Sequence, residues 1–354
     1  MSKKRAGTPL IVPIFIPNQG CPHRCVFCQQ ERITACSHEL VSTRRIRDIV
    51  ETAMHSSGFR TRRPREIAFF GGTFSGLPVS EIIRLLDAVR PYLERGEFDS
   101  IRVSTRPDTL DEERLEILSR FGVSTIELGA QSMDDEVLEK SRRGHSAEDT
   151  VRAVGLLKER GFKVGLQLMP GLPGDSEARF RDTIEKVLKL TPHMVRLYPA
   201  IVIRGTRMAQ MFREGTYRPL NLEDAVRLCA DSCIRLESQG IPVIRIGLMS
   251  SSSLRAEGQI LAGPWHEAFG HLVRTMIHQK NIGPLLPEYG IAEKIRLRVP
   301  AREISLVRGH RNQGLHWIKK RTGAGAVEVI PYGIHEPGRI KVEILEFKEG
   351  RFKS

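Results

Sequence analysis

Cys21, Cys25 and Cys28 stand in the spacing Cys-x3-Cys-x2-Cys, inside the run Asn-Gln-Gly-Cys-Pro-His-Arg-Cys-Val-Phe-Cys. Three thiolates so close in the chain can be tied to one metal centre without straining the backbone. A structural zinc or a fully ligated cluster takes four protein ligands. Three readings of the trio stand side by side. The thiols are buried and unliganded, although Pro22, His23 and Arg24 make the stretch a polar loop. They hold zinc, with His23 or Cys36 as the fourth ligand. Or they hold a [4Fe–4S] cluster and leave one iron open for another molecule.

The loop follows an apolar run, Leu10–Ile16, which reads as a buried strand. Five more short apolar segments are expected as strands: Glu66–Phe70, Ser100–Ser104, Ser124–Leu128, Lys163–Met169 and Met194–Tyr198. Pro242–Ile246 is a seventh candidate. Between them lie helical stripes, including Ile46, Val50 and Met54, then Ile82, Leu85, Leu86 and Val89, then Val151, Val154 and Leu157. Six strand-then-helix units predict an α/β fold, a parallel sheet with helices outside, wholly or partly closed into a barrel. Chemistry in such a barrel sits at the C-terminal strand ends. Each predicted strand runs there into a polar or glycine motif: the Cys loop, Gly71-Gly72-Thr73, Ser104-Thr105-Arg106, Gly129-Ala130-Gln131-Ser132, the turn after Gln167 (Met-Pro-Gly-Leu-Pro-Gly) and Tyr198-Pro199. Two adjacent glycines let backbone carbonyls approach an ammonium group unblocked by side chains.

The chain's 354 residues suffice for a large α/β domain and an extension. Six cysteines in that length do not make a disulfide scaffold. The basic N-terminus precedes a short, proline-broken apolar run unlike a signal peptide, and no apolar run nears the roughly 20 residues of a membrane span. A reducing cytoplasm is the expected location. The net charge of +13 and pI of about 9.7 point to a polyanionic partner, or to a basic surface serving solubility.

With Phe27 just before the third cysteine, the loop resembles the radical S-adenosylmethionine (SAM) superfamily. The resemblance implies a partial (β/α)6 TIM-like radical SAM barrel over residues 1–247. It implies a [4Fe–4S] cluster on Cys21, Cys25 and Cys28, with SAM on the open iron. It implies SAM contacts from Gly71, Gly72 and Thr73, where relatives commonly have Glu at the third position, and from Ser104, Arg106, Gln131 and Gln167. Reductive cleavage of SAM to a 5′-deoxyadenosyl radical would follow, fed by a low-potential donor such as flavodoxin or ferredoxin. No catalytic acid or base is assigned.

Further phrases, Gly-Gly-Thr-Phe-Ser-Gly-Leu-Pro (71–78), Ser-Thr-Arg-Pro-Asp (104–108), Arg-Arg-Gly-His (142–145) and Leu-Tyr-Pro-Ala-Ile-Val-Ile-Arg-Gly-Thr (197–206), look like the radical-SAM half of the Elongator catalytic subunit, which modifies tRNA wobble uridine. Oxygen-independent coproporphyrinogen III oxidase is a more distant likeness. Elongator spaces its cluster cysteines differently. Residues after 247 carry no acetyl-CoA pyrophosphate loop, so acetyl-CoA chemistry is not implied. The resemblance makes tRNA or another RNA the expected substrate. A small molecule such as a tetrapyrrole, and a non-enzymatic zinc protein that binds nucleic acid, are the alternatives.

Three side-chain groups have open readings. His145 is read as a surface residue, with phosphate binding or gating as the alternative. Arg204 and Arg207 either meet an anion or are solvated. Cys229 and Cys233, four apart on a helix, are read as buried thiols.

Residues 248–354 form a basic α+β extension. Its Gly309-His-Arg-Asn loop between two helices and before a strand resembles a KH domain, lacking the second glycine of Gly-x-x-Gly. Lys294, Arg296, Arg298, Arg302, Arg308, Arg311, Lys319, Lys320 and Arg321 are expected to form a phosphate-binding surface.

Overall fold

The computed structural model describes residues 9–22, 24–30, 41–248, 251–332 and 340–348. His23 and Cys36, the two candidate fourth ligands, lie outside them. The strands are β1 (Leu10–Phe15), β2 (Arg65–Phe70), β3 (Ser100–Thr105), β4 (Val123–Gln131), β5 (Lys163–Leu168), β6 (Met194–Leu197), β7 (Val202–Ile203), β8 (Val243–Ile246), β9 (Ile260–Ala262), β10 (Ala292–Val299), β11 (Ala326–Pro331) and β12 (Lys341–Phe347). Seven of them form one parallel sheet in the order β1-β2-β3-β4-β5-β6-β8. This is the curled half-barrel of the expected class.

Helices cover the outer face, and local chemistry fixes where they start. Ser42, Asp111, Ser146 and Ser176 each accept a hydrogen bond from the backbone N–H three residues on, and Ser146 with Asp149 completes a capping box. Their apolar stripes lie in the core: Ile46 and Val50, then Ile82, Leu85, Leu86 and Val89, then Ile184 and Val187. One stripe is displaced. Helix Ala147–Glu159 buries Thr150, Ala153, Val154 and Leu157, leaving Val151 exposed.

Side chains alternate across a strand, so paired positions in a parallel sheet share a face. On the face opposite those helices, strands β2, β3, β4 and β6 place Glu66, Arg102, Glu127 and Arg196. Arg102 reaches Glu66 at 2.8 Å through Nε and Glu127 at 2.5 Å through Nη1. Arg196 Nη2 reaches Glu127 at 2.8 Å, and its guanidinium lies 5.1 Å from the centre of the Phe70 ring. Two cations and two anions balance, so this buried floor carries no net charge.

The chain divides into two compact units: residues 1–221 with 235–265, and residues 222–234 with 266–354. Residues 248–265, beyond the expected 247/248 boundary, fall with the first of these units. The reason is β9, which pairs antiparallel with β7 and keeps residues up to Trp265 in the first unit. Trp265 packs there beside Ile201, Ile203 and Leu254. A short helical turn, Ser252–Arg255, capped by Ser251, precedes β9.

In the second unit, β10 is central, parallel to β11 and antiparallel to β12. Ile295, Leu297 and Val299 of β10 pack with Val307 and Ile318 from the two helices that follow it. No described helix is long and apolar enough to cross a membrane.

Candidate functional site

The cysteine loop leaves β1 and is held by backbone bonds to three separate segments. Thr73 N donates to Gln19 O at 2.8 Å, Val26 N to Ser141 O at 3.1 Å, and Met208 N to Val26 O at 2.8 Å. Val26 is buried among Val137, Leu172, Ala200 and Met208, with Phe27 packed alongside.

The tightest seam is with the glycine turn after β2. A Cβ on Gly72 would stand 2.4 Å from Gln19 O and 2.5 Å from Ile16 O. One on Gly20 would stand 2.2 Å from Thr73 O, and one on Gly76 2.2 Å from Gly20 O. Contacts below 3 Å are not available to a carbon, so these glycines let two backbones interlock. Gly71 has a different reason, a φ of +98°. The Gly-Gly pair thus has a structural duty besides the ligand access foreseen from sequence.

The three thiols sit within one another's fields. Burial above all, then the charges of Cys25 and Cys21, push the Cys28 thiol up to about 12, while Arg143 pulls it down. Cys21 Sγ is 3.2 Å from Thr73 Oγ1, and Cys28 Sγ is 3.6 Å from Asn18 Oδ1. Cys25, 9% exposed, receives Arg143 Nη1 at 3.4 Å. Deprotonating Cys28 beside the other two sulfurs calls for a cationic centre, which is the donor chemistry of a metal site. Among the described residues, no three His, Cys, Asp or Glu side chains converge on a point fit for a single ion. A cubane attaches one thiolate to each of three irons and requires no such convergence. The residues present fit a cluster.

Other candidates distribute unevenly. Gln131 and Gln167 meet: Gln167 Nε2 donates to Gln131 Oε1 at 2.7 Å, and Gln131 Nε2 to Gln167 Oε1 at 3.4 Å. Gln131 ends β4 after an irregularity in its pairing with β5 and has φ +67°, a conformation costing a non-glycine residue about 1–2 kcal/mol. Ser104 is partly exposed on β3. Arg106 is 2% exposed and gripped by Asp108 through two bonds of 2.9 and 2.7 Å. It holds its own turn together. Arg204 bonds Gly258 O at 2.6 Å, and Arg207 lies 3.8 Å from Glu214.

His145 is not a surface residue. It is 7% exposed, and burial, then Arg143 and Arg106, hold it down to about 3. It is therefore neutral, which disfavours phosphate binding. Arg143 itself was not singled out in the sequence. Its forked donors reach Gly129 O at 2.6 and 3.2 Å as well as Cys25, across 118 residues of chain. The Gly144-His145 pair after it marks a turn but carries no sign of this contact. Cys229 and Cys233 are fully buried thiols.

Comparison with known proteins agrees with this geometry. Residues 15–187 match the family described as the radical SAM superfamily, and 192–279 its C-terminal domain. A tRNA uridine(34) acetyltransferase of Methanocaldococcus jannaschii is 36% identical over 183 residues, 46% of this chain and 34% of that protein. The chain thus spans about a third of that relative's length. An uncharacterized protein of the same organism is 30% identical over 232 residues, 62% of this chain and 70% of the relative. The archaeal Methanocaldococcus infernus Elp3, with an N-terminal deletion, superposes with a TM-score of 0.60 at 24% identity, covering 77% of this chain and 63% of that one, and so shares the fold. The chain belongs to the radical SAM superfamily, and is accordingly an enzyme whose cofactors are a [4Fe–4S] cluster and SAM.

Proposed function

We propose that this enzyme modifies RNA, tRNA foremost, by hydrogen abstraction from a nucleoside. The observation that carries the radical chemistry is the three-thiol loop locked backbone-to-backbone onto the Gly71-Gly72-Thr73 turn. In this reading Cys21, Cys25 and Cys28 hold the cluster, and Gly71, Gly72, Thr73, Ser104, Arg106, Gln131 and Gln167 face SAM. Bound there, the two cofactors supply one-electron cleavage of SAM to methionine and a 5′-deoxyadenosyl radical. The protein's own part is to hold and shield. The glycine seam fixes the loop against the sheet, Arg143 steadies Cys25, and the ionic floor fills the space below without net charge. Gln131 and Gln167 offer donors and acceptors side by side, suited to ribose hydroxyls. A low-potential protein such as flavodoxin or ferredoxin delivers the electron.

Support for RNA comes from the likeness to tRNA uridine(34) acetyltransferases and from the net charge of +13. The test is anaerobic reconstitution with iron and sulfide, then SAM, dithionite and bulk RNA from the source cell. The expected result is about four irons per chain, 5′-deoxyadenosine, and a new nucleoside by mass spectrometry. Wild-type 5′-deoxyadenosine formation by Cys28→Ala would sink the radical assignment. Abundant 5′-deoxyadenosine with no altered nucleoside in any RNA fraction would sink the substrate.

A further inference from the structure

Residues 304–322 of the second unit read Ile-Ser-Leu-Val-Arg-Gly-His-Arg-Asn-Gln-Gly-Leu-His-Trp-Ile-Lys-Lys-Arg-Thr, without one acidic side chain. They form helix Ile304–Arg308, a turn, and helix Gln313–Thr322. The pair connects β10 to β11, which lie parallel and adjacent. The inter-helix turn is exposed at Arg311 and Asn312.

The turn is sharply bent. Gly309 has φ +69°, Arg311 +49° and Asn312 +61° with ψ 20°. Asn312 thus takes, in left-handed form, the place where sequence comparison missed a second glycine. Asn is among the few side chains that visit this region readily. A Cβ on Gly314 would stand 2.0 Å from Val307 O, so the helices cross with backbones nearly touching. His310 packs edge-on to His266, ring centres 5.1 Å apart.

Charge separates this stretch from the rest of the unit. Lys294 and Arg296 are matched by Glu328, Arg298 by Glu343 and Arg302 by Glu303. Those four do not form the free phosphate-binding surface expected from sequence, because β10 sets them against carboxylates on its neighbours or beside them in the chain. Arg308, Arg311, Lys319, Lys320 and Arg321 are exposed, and among the described residues no carboxylate pairs with them. A ten-residue helix is about 15 Å long, the reach of a few nucleotides.

We propose that this turn and its second helix bind the sugar–phosphate backbone of single-stranded nucleic acid, supplied as RNA. The proposal rests on the RNA reading above and gives it a place of attachment. Cations without partners neutralise phosphates, and Arg311 stands on the exposed turn itself, between Arg308 and the basic end of the second helix.

The test uses the full chain, without SAM or reductant, and a fluorescent 12-nucleotide oligouridine, its duplex with oligoadenosine, and the matching oligodeoxyuridine. The single-stranded RNA is expected to bind with a salt slope of roughly −2 to −3.5, about 0.7 per phosphate contacted. Arg308→Ala with Arg311→Ala should weaken binding about tenfold or more and flatten the slope by about 1.4. Lys319→Ala with Lys320→Ala should act in the same sense. Asn312→Gly should bind within about twofold of wild type, since glycine accepts the same backbone shape. Unchanged affinity and slope in both double variants, with unaltered melting, would overturn the site. So would tighter binding of the duplex. Oligodeoxyuridine binding as tightly as oligouridine would overturn the assignment to RNA. Because no cofactor is present, this assay reads the site alone; binding here together with no altered nucleoside from the reconstituted enzyme would count against RNA as substrate and leave the site standing.

Discussion

Arg143→Met should lower the midpoint potential of the cluster. Arg143 Nη1 lies 3.4 Å from Cys25 Sγ and is 7% exposed. At that separation a full unit charge interacts with the guanidinium by about 5 kcal/mol at an effective dielectric of about 20. An electron added to a four-iron cluster is shared, and about a quarter of it beside one thiolate gives roughly 1.2 kcal/mol, or about 50 mV for a one-electron couple. The reduced form, being more negative, loses more when the charge goes, so the potential falls. Arg143→Lys keeps the charge and should retain most of the wild-type value. The assay is an EPR-monitored redox titration of anaerobically reconstituted protein, with iron and sulfide counted in each variant. A fully loaded Arg143→Met variant titrating within about 15 mV of wild type would refute the electrostatic argument.

Gly72→Ala would place a carbon against two carbonyl oxygens, so it should cost about 1–3 kcal/mol and cut iron incorporation well below wild type, read by urea melts and iron assay. Arg102→Met strips buried Glu66 of its partner and should cost about 3–5 kcal/mol by equilibrium unfolding; a loss under about 1 kcal/mol would mean water reaches the floor. His145 titrates near 3 when folded against 6.5 for a free ring, so the unfolded chain binds the extra proton in between. Stability therefore falls as pH drops through that window, by about 2 kcal/mol between pH 7 and 5, and His145→Gln should remove that part of the loss in metal-free protein.

The strands were legible because runs such as Leu10–Phe15 and Lys163–Leu168 are short, apolar and followed by turn residues. The end of β4 was not, because Gly129 to Gln131 has no apolar pattern to extend the strand. The helix at 147–159 misled at one position, Val151, since Thr150 beside it is buried instead by packing that hydropathy does not encode. The cysteine loop and its glycine partner were visible as composition and spacing. The Arg143–Cys25 contact was invisible, as nothing local relates residues 118 apart. Ion pairs such as Arg298–Glu343 depend on strand register between β10 and β12, which a single sequence does not state. The masking of basic charge on β10, and its survival on helix 313–322, followed from that register.

Gln131 and Gln167 engage each other through one short and one long hydrogen bond. A visitor that brings both an acceptor and a donor can exchange places with either amide at little net cost. A visitor of one polarity strands half of the couple, a loss of about 1–3 kcal/mol. On the proposed reading that this couple faces SAM, it would select against incomplete hydrogen-bonding partners before any chemistry begins, without a moving part.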